Sequence, residues 1–523
     1  MASGGEDSDH LAGFGYKQEL ERSLGKFSSF AAGFSYISIL TGVFQLFAFG
    51  FAFAGPGVWW TWPVVFVGQF AVALCFAELA GQFPLAGSVY NWSKRVSGAF
   101  LSWMTGWIMV VGAIVTMAAV AVAWQVILPQ ISTSFQLVGG AADAGTYLTP
   151  DGARNAIILG AILIVFTTIV NMLGVKLMAR INNVGVAIEL VGASVLIVLL
   201  LLQAKRGPGV VTETLGLGAD YDLGYLGALL VGGIMSAYVL YGFDTAGTLA
   251  EETENPRKNA PAAILRALAA SALIGALLIL FAMMAVNDIN DENIGLLGLP
   301  YIIKQALGEL TGDVFLACSA IAILVCALAV QTSCIRMLFA MARDGRLPFG
   351  SAVARVSGKA RVPVLPAILT GVLALALLGV NIGNQGVFLT LTSVAIIMFY
   401  LAYLGVTAPL LIRRLRGEWP RPEHGSHFSL GRFGLPVNLF AVVYGTLVAI
   451  NIAWPRAAVY NPPGIAGQHW YLQYGAVLFI GATLAVGSAY YFLVYRRKPV
   501  EVLAEHRSAV PVEPGASTAE PTA

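Results

Sequence analysis

The sequence predicts an all-α integral membrane protein with twelve transmembrane helices, and three observations predict it. Of its 523 residues, 58% are hydrophobic and only 11% are charged, whereas a soluble domain carries about 25% charged residues. The hydrophobic residues gather into twelve runs, each near the ~20 residues that a spanning helix needs. Lysine and arginine divide very unevenly between alternate loops, as they do on the two sides of a membrane protein.

The twelve segments cover 27–53, 58–80, 98–129, 154–175, 181–203, 226–251, 263–287, 313–342, 363–381, 386–412, 435–455 and 470–495. Polar tails occupy 1–26 and 496–523, and the second ends in "SAVPVEPGASTAEPTA", a composition typical of disorder. The N-terminus, "MASGGEDSDHLAGFGYKQELERSLGK", is mixed in charge and lacks the basic-then-apolar pattern of a cleaved signal peptide. With that tail in the cytoplasm and sides alternating, 24 of the 30 basic residues fall on the cytoplasmic side. Five (Arg154, Lys205, Arg206, Lys304 and Arg456) fall outside, and Arg336 lies within segment 8. The split fits an even number of crossings of a cell (plasma) membrane with both termini cytoplasmic.

Composition also removes several functional classes. A net charge of +2 gives no reason to expect nucleic acid as a partner. Cys75, Cys318, Cys326 and Cys334 all lie in apolar segments without Cys-x-x-Cys spacing, so they read as packing residues. None of the five histidines lies in an apolar run, which argues against a metal site, a histidine relay or an intramembrane enzyme. No metal and no cofactor is expected. A channel would want polar rings along several helices, and most segments contain no charge.

Segments 1 and 6 are interrupted near their middles, by "SILTGVF" at 38–44 and "YGFDTAG" at 241–247. Paired broken helices in corresponding positions of two halves point to a midplane binding site in an inverted-repeat transporter. Ten segments then form two repeats, 27–203 (helices 1–5) and 226–412 (helices 6–10), with two additional helices over 435–495. The breaks are expected near 40–43 and 242–245, facing each other.

Few charges sit at depth: Glu78, Glu189, Asp244 and Arg336. Glu251 and Glu252 leave the membrane close to Arg257 and Lys258, which suggests a local ion-pair network, and Glu78 reads as a solvated helix end. Glu189 differs, because "NNVGVAIELVGASVLIVLL" offers no basic residue three or four positions away. A lone carboxylate there is protonated, bound to a cation, lining water, or held in a structural hydrogen bond.

Three strings carry a resemblance. "GFDTAGTLAEETENPRKNAPAAIL", "AELAGQFPLAGSVYNW" and "RMLFAMARDGRLP" resemble, in order, the sixth helix, the loop between helices 2 and 3, and the helix 8 exit of the amino acid–polyamine–organocation (APC) superfamily. "GFAFAGPGVWWTWPVV" looks closest to its amino acid/choline transporter branch. The resemblance implies a leucine-transporter-type fold with a 5+5 inverted repeat, in which broken helices 1 and 6 cradle an amine-bearing solute. The matching substrate positions are Leu40, Thr41, Gly42 and Val43 on helix 1, and Tyr241, Gly242, Phe243 and Asp244 on helix 6. Where relatives read Gly-Ser/Thr-Gly at the helix 1 break, this chain has Leu40-Thr41-Gly42, so the first glycine is missing. Asp244 would receive the amine or help to hold a proton, and Phe243 would offer a cation–π face.

The resemblance also implies a coupling site. Glu189 falls where proton-coupled relatives often have a lysine, and Thr332 and Ser333 resemble the hydroxyl pair of sodium-coupled relatives. The three suit H⁺, with Na⁺ as the alternative. The implied activity is cation-coupled import of an amino acid or related amine such as γ-aminobutyrate across the lipid bilayer by alternating access. A choline or polyamine carrier is the alternative, and a non-transporting sensor or channel a remoter one. No heavy-chain subunit is expected, because no outer loop offers a cysteine.

Overall fold

The computed structural model describes residues 11–219, 221–380, 387–420, 427–460, 470–497 and 502–507. Among them the secondary structure is helical, with isolated β-bridges but no strand. Segment 1 is two helices, α1 (Lys26–Ile37) and α2 (Ile39–Ala54), followed by α3 (Thr61–Gln82), the short α4 (Ser88–Val96) and α5 (Ala99–Ile131). Then come α6 (Pro150–Leu173) and α7 (Val175–Leu202), and segment 6 divides into α8 (Tyr225–Gly232), α9 (Ile234–Val239) and α10 (Thr245–Thr248). The remaining long helices are α11 (Pro256–Ala285), α12 (Glu309–Arg343), α13 (Val364–Gly379), α14 (Val387–Leu415), α15 (Gly434–Ala453) and α16 (Gly475–Leu493).

By length and composition, nine helical runs among the described residues can cross a membrane, the first running from Lys26 to Gln82 through segments 1 and 2. Tyr225–Val239 and Val364–Gly379 are apolar but shorter. Local chemistry sets several ends. The Thr149 hydroxyl accepts the Gly152 N–H at 3.1 Å to cap α6, with Pro150 in the first turn. Pro256 likewise opens α11, behind Asn255 in a left-handed conformation (φ 45°).

The neighbours of each helix repeat in pairs. When each helix of segments 1–5 is exchanged for its counterpart five segments later, the packing pairs map onto one another. The α5–α12 pair maps onto itself, and so does α3–α11. The α7–α12 pair maps onto α14–α5, α6–α5 onto α13–α12, and α11–α1 onto α3 with α9. This exchange is what a two-fold inverted repeat produces. It brings the two halves of segment 1 against the opposite halves of segment 6, α1 on α10 and α2 on α8 and α9.

One face collects the basic segments. Arg343 binds Glu251 through two bonds, 2.9 and 2.5 Å, and Arg336 binds Glu252 through two, 3.1 and 2.7 Å. The partners of the two glutamates are therefore α12 arginines and not the adjacent Arg257 and Lys258. Glu78 is no solvated end either. It is fully buried, paired with Arg414, and accepts from Trp419 Nε1 (3.0 Å), Ser429 Oγ (3.1 Å) and Leu430 N (3.0 Å). A buried carboxylate persists only when paired and hydrogen-bonded in this way.

The polar N-terminal segment lies across the same face. Tyr16, Leu20 and Leu24 are buried, the N–H groups of Ser23 and Leu24 donate to Glu252 O, and Arg343 stacks 3.9 Å over the Tyr16 ring. Asp344 draws together Lys94 (2.7 Å), Tyr90 (2.8 Å) and Tyr16 (3.0 Å). Of the tail expected to be disordered, residues 502–507 are seated here: Leu503 N donates to Arg343 O, and Lys17 N to His506 O. Residues 1–10, 498–501 and 508–523 lie outside the described residues, as does the first residue of segment 10, 386.

Candidate functional site: the paired helix breaks

Segment 1 breaks at Ser38, whose backbone (φ 36°, ψ 95°) leaves the helical region. Its N–H closes α1 by donating to Phe34 O (2.8 Å), and its carbonyl opens α2 by accepting from Gly42 N (2.9 Å). Its hydroxyl accepts from Thr41 N at 3.4 Å, so Ser38 is the N-cap of α2. The break thus falls two residues before the expected 40–43. Leu40, Thr41, Gly42 and Val43 are helical and buried. Gly42 serves close packing instead, since a Cβ there would stand 2.6 Å from Val239 Cγ2 at the end of α9.

Segment 6 is non-helical over 240–244, between α9 and α10. Gly242 has φ 89°, and a Cβ on it would come within 1.9 Å of the Tyr36 ring. The two breaks therefore abut, Gly42 against Val239 and Tyr36 against Gly242. Around them stands an aromatic cluster: Tyr241 is 4.6 Å from Phe399 and 6.1 Å from Tyr36, ring to ring. Thr116 Oγ1 lies 3.2 Å from the Tyr241 hydroxyl, and Tyr238 donates to Gln45 at 3.2 Å. The ring of Phe243 lies against Phe76 and Tyr403 and is fully buried.

Asp244 is completely buried, and both of its oxygens are engaged. Tyr403 donates to Oδ1 at 2.6 Å and Ser88 to Oδ2 at 3.3 Å, while Tyr403 itself accepts from Gly242 N at 2.9 Å. A carboxylate and a tyrosine on α14 together hold the unwound stretch. Two other buried hydroxyls at the breaks, Tyr36 Oη and Thr245 Oγ1, have no partner among the described residues.

Glu189 on α7 reaches the other break. Its Oε1 accepts from Ser38 Oγ (3.0 Å) and from Leu40 N (3.1 Å), so a carboxylate sits on the first turn of α2, where the helix dipole favours negative charge. Its Oε2 is buried with no partner among the described residues. Thr332 and Ser333 do not join it. Thr332 Oγ1 lies 2.7 Å from Asn171 Oδ1 and 2.7 Å from Leu328 O, and Ser333 is buried on α12 without a bond to Glu189. Cys326, in electrostatic range of Glu189, is the α12 residue beside it. Six residues at 1.5 Å each put Thr332 about 9 Å further along the axis.

Ser38, Tyr36, Ser88 and Tyr403 are the site residues that sequence reasoning missed. Ser38 carried a signal, a serine three residues before Thr41 at the start of an apolar run. The tyrosines did not, since an aromatic residue in a membrane helix looks the same whether it packs or braces.

A family model described as "Amino acid permease" matches residues 24–492. The chain is 30% identical to amino-acid permease BAT1 of Arabidopsis thaliana, over 87% of this chain and 91% of that protein. It is 28% identical to the methylthioribose transporter of Bacillus subtilis, over 66% and 74% of the two. Among solved structures it resembles MhsT in complex with L-phenylalanine, with a TM-score of 0.60 at 14% identity, covering 83% of this chain and 99% of that one. That likeness is one of fold, a leucine-transporter-type arrangement of helices with segments 1 and 6 broken. Matched nearly end to end, this multi-span membrane protein belongs to the amino acid permease family of the APC superfamily, a family of transporters and not of enzymes.

Proposed function

We propose that the chain is a cation-coupled secondary transporter that imports an amino acid or a related amine such as γ-aminobutyrate by alternating access. It would work in the plasma membrane with both termini cytoplasmic. The observation that carries this reading is the abutment of the two helix breaks, each with a buried carboxylate attached, at Glu189 and Asp244. Interrupted helices expose backbone donors and acceptors at depth, which is tolerated where they serve a solute. The ion pairs Glu251–Arg343 and Glu252–Arg336, with the N-terminal segment laid over them, form the closed inner gate of this cycle.

Asp244 would meet a solute's amine by giving up its longer bond, the 3.3 Å one from Ser88, while Tyr403 stays. The coupling ion is a proton held on Glu189. Sodium is the alternative, and it would find Glu189 and the Ser38 hydroxyl as hard oxygen ligands, without Thr332 or Ser333. The cluster of Tyr36, Tyr241 and Phe399 favours a second reading, a choline or polyamine carrier, because such rings attract cationic head groups. The test is purified protein in liposomes with labelled amino acids, γ-aminobutyrate, choline and putrescine, under imposed pH or sodium gradients. Concentrative uptake of one of them under a gradient is the expected result. Equilibration without any response to either gradient would replace the carrier with a passive pathway.

A further inference from the structure

The first turn of a helix leaves N–H groups without helical partners, and those of α2 are where a solute's carboxylate would be received. They are already taken. The Thr41 N–H goes to the Ser38 hydroxyl, and the Leu40 N–H and Ser38 O–H both go to Glu189 Oε1. A side chain from a third helix, α7, thus supplies the carboxylate that this helix end binds. Its second oxygen is buried and has no hydrogen-bond partner among the described residues. No lysine, arginine or histidine among the described residues pairs with it.

We propose that Glu189 is a resident stand-in for the solute's carboxylate, and that a carboxylate-bearing solute binds at the α2 break only when a proton on Glu189 releases Leu40 N and Ser38 Oγ. The inference rests on the transport reading above and adds to it how solute and proton are linked. The exchange balances simply. One proton from water joins a Glu189 oxygen, and the two donors pass from that carboxylate to the solute's. With Glu189 ionised, two carboxylates would compete for one set of donors and repel each other in a low-dielectric site. An amine without a carboxylate has no use for those donors, so its binding is indifferent to the proton.

The groups around Glu189 leave this titration legible. Helices α1, α2, α6, α11 and α12 pack on or near α7. The titratable side chain beside Glu189 is Cys326 of α12. The short helix Leu299–Leu307 also packs there. Of the charged groups on all these elements, Lys26 starts α1, Asp151 and Arg154 pair at the start of α6, and Arg257, Lys258 and Arg266 lie in the first three turns of α11. Lys304 pairs with Glu309 and Asp313, and Arg336 and Arg343 of α12 are paired with Glu252 and Glu251. Helix α7 itself carries Lys176, paired with Glu21, and Arg180. Asp244, at the other break, is bound to Tyr403 and Ser88.

The experiment is equilibrium binding to purified full-length protein between pH 5 and 7.5, where an amino acid's own charges stay constant. The probe is labelled γ-aminobutyrate, or the amino acid of the panel above that is taken up best. Its carboxamide serves as the competitor lacking a carboxylate. In wild type, affinity for the carboxylate-bearing probe should be level where Glu189 is already protonated and fall as rising pH ionises it, with a limiting slope of about tenfold per unit for one linked proton, while the carboxamide changes less than twofold. Glu189→Gln, which keeps the shape but not the charge, should bind the acid at pH 7.5 as wild type does at pH 5, with a flat profile. A thermal melt close to that of wild type would show that the variant is folded. The inference is overturned if the pH slope survives in Glu189→Gln, if the carboxamide shows the same slope, or if a folded Glu189→Gln loses the acid altogether. Failure of wild type to bind any panel member would instead strike the transport reading, and this inference with it.

Discussion

Replacing Gly242 by alanine should damage the site without touching a charged group. The added Cβ would lie 1.9 Å from Tyr36 Cδ1, 2.3 Å from Cε1 and 2.7 Å from Cγ. Ordinary contact begins near 3.4 Å, so the ring or the loop must move by roughly 1.5 Å. The ring has nowhere to go, being flanked by Tyr241 at 6.1 Å and Phe399 at 5.8 Å. Overpacking of this kind costs about 1–3 kcal/mol, and a side chain held at φ 89° adds about 1–3 kcal/mol more. Taking about 3 kcal/mol as the part felt by the solute-bound break, affinity should fall roughly a hundredfold. The assay is labelled-solute binding to purified protein, beside Gly98→Ala, where a Cβ meets nothing within 4 Å and no effect is expected. Gly242→Ala binding as tightly as wild type would refute the idea that the abutting breaks form the site.

Other perturbations separate bracing from binding. Glu252→Gln leaves Arg336 buried beside a neutral partner and should destabilise the protein by about 3–5 kcal/mol; adding Arg336→Met should recover most of that in thermal melts, and no recovery would mean the pair is not coupled. Tyr403→Phe removes the donor to Asp244 and the acceptor for Gly242 N, a loss of about 1–3 kcal/mol for unsatisfied buried groups. It should depress uptake at normal expression, and full uptake would deny the brace. Thr332→Val breaks the contact with Asn171, for about 0.5–1.5 kcal/mol of stability, and should leave the response to sodium unchanged. A lost sodium response would return Thr332 to the coupling site.

What the sequence made legible followed the range of the interactions. The helices could be read because lipid demands long apolar runs, and the segment 6 break because Gly242 and Asp244 interrupt one. The segment 1 break, expected near 40–43, lies two residues earlier because Ser38 bends while Gly42 packs against Val239. Charge pairing was the least legible. Glu251 and Glu252 look next to Arg257 and Lys258 in sequence but choose Arg343 and Arg336, and Glu78 finds its partners at Arg414, Trp419, Ser429 and Leu430. Such choices depend on which helix ends meet in space, and no local pattern encodes that. Glu189 stood out as a charge without a neighbour, yet its partners were the Ser38 hydroxyl and a backbone N–H that any residue but proline at position 40 would supply.

The meeting of the N-terminal segment with residues 502–507 has a consequence for biosynthesis. His506 sits 2.5 Å from Glu19 across 487 positions of sequence, and Leu503 N holds the carbonyl of Arg343. Residues 502–507 are needed for these bonds, so this face stays uncovered while the ribosome is still adding the helices before them. A chain truncated just after α16 would contain α1 to α16 and still lack these bonds.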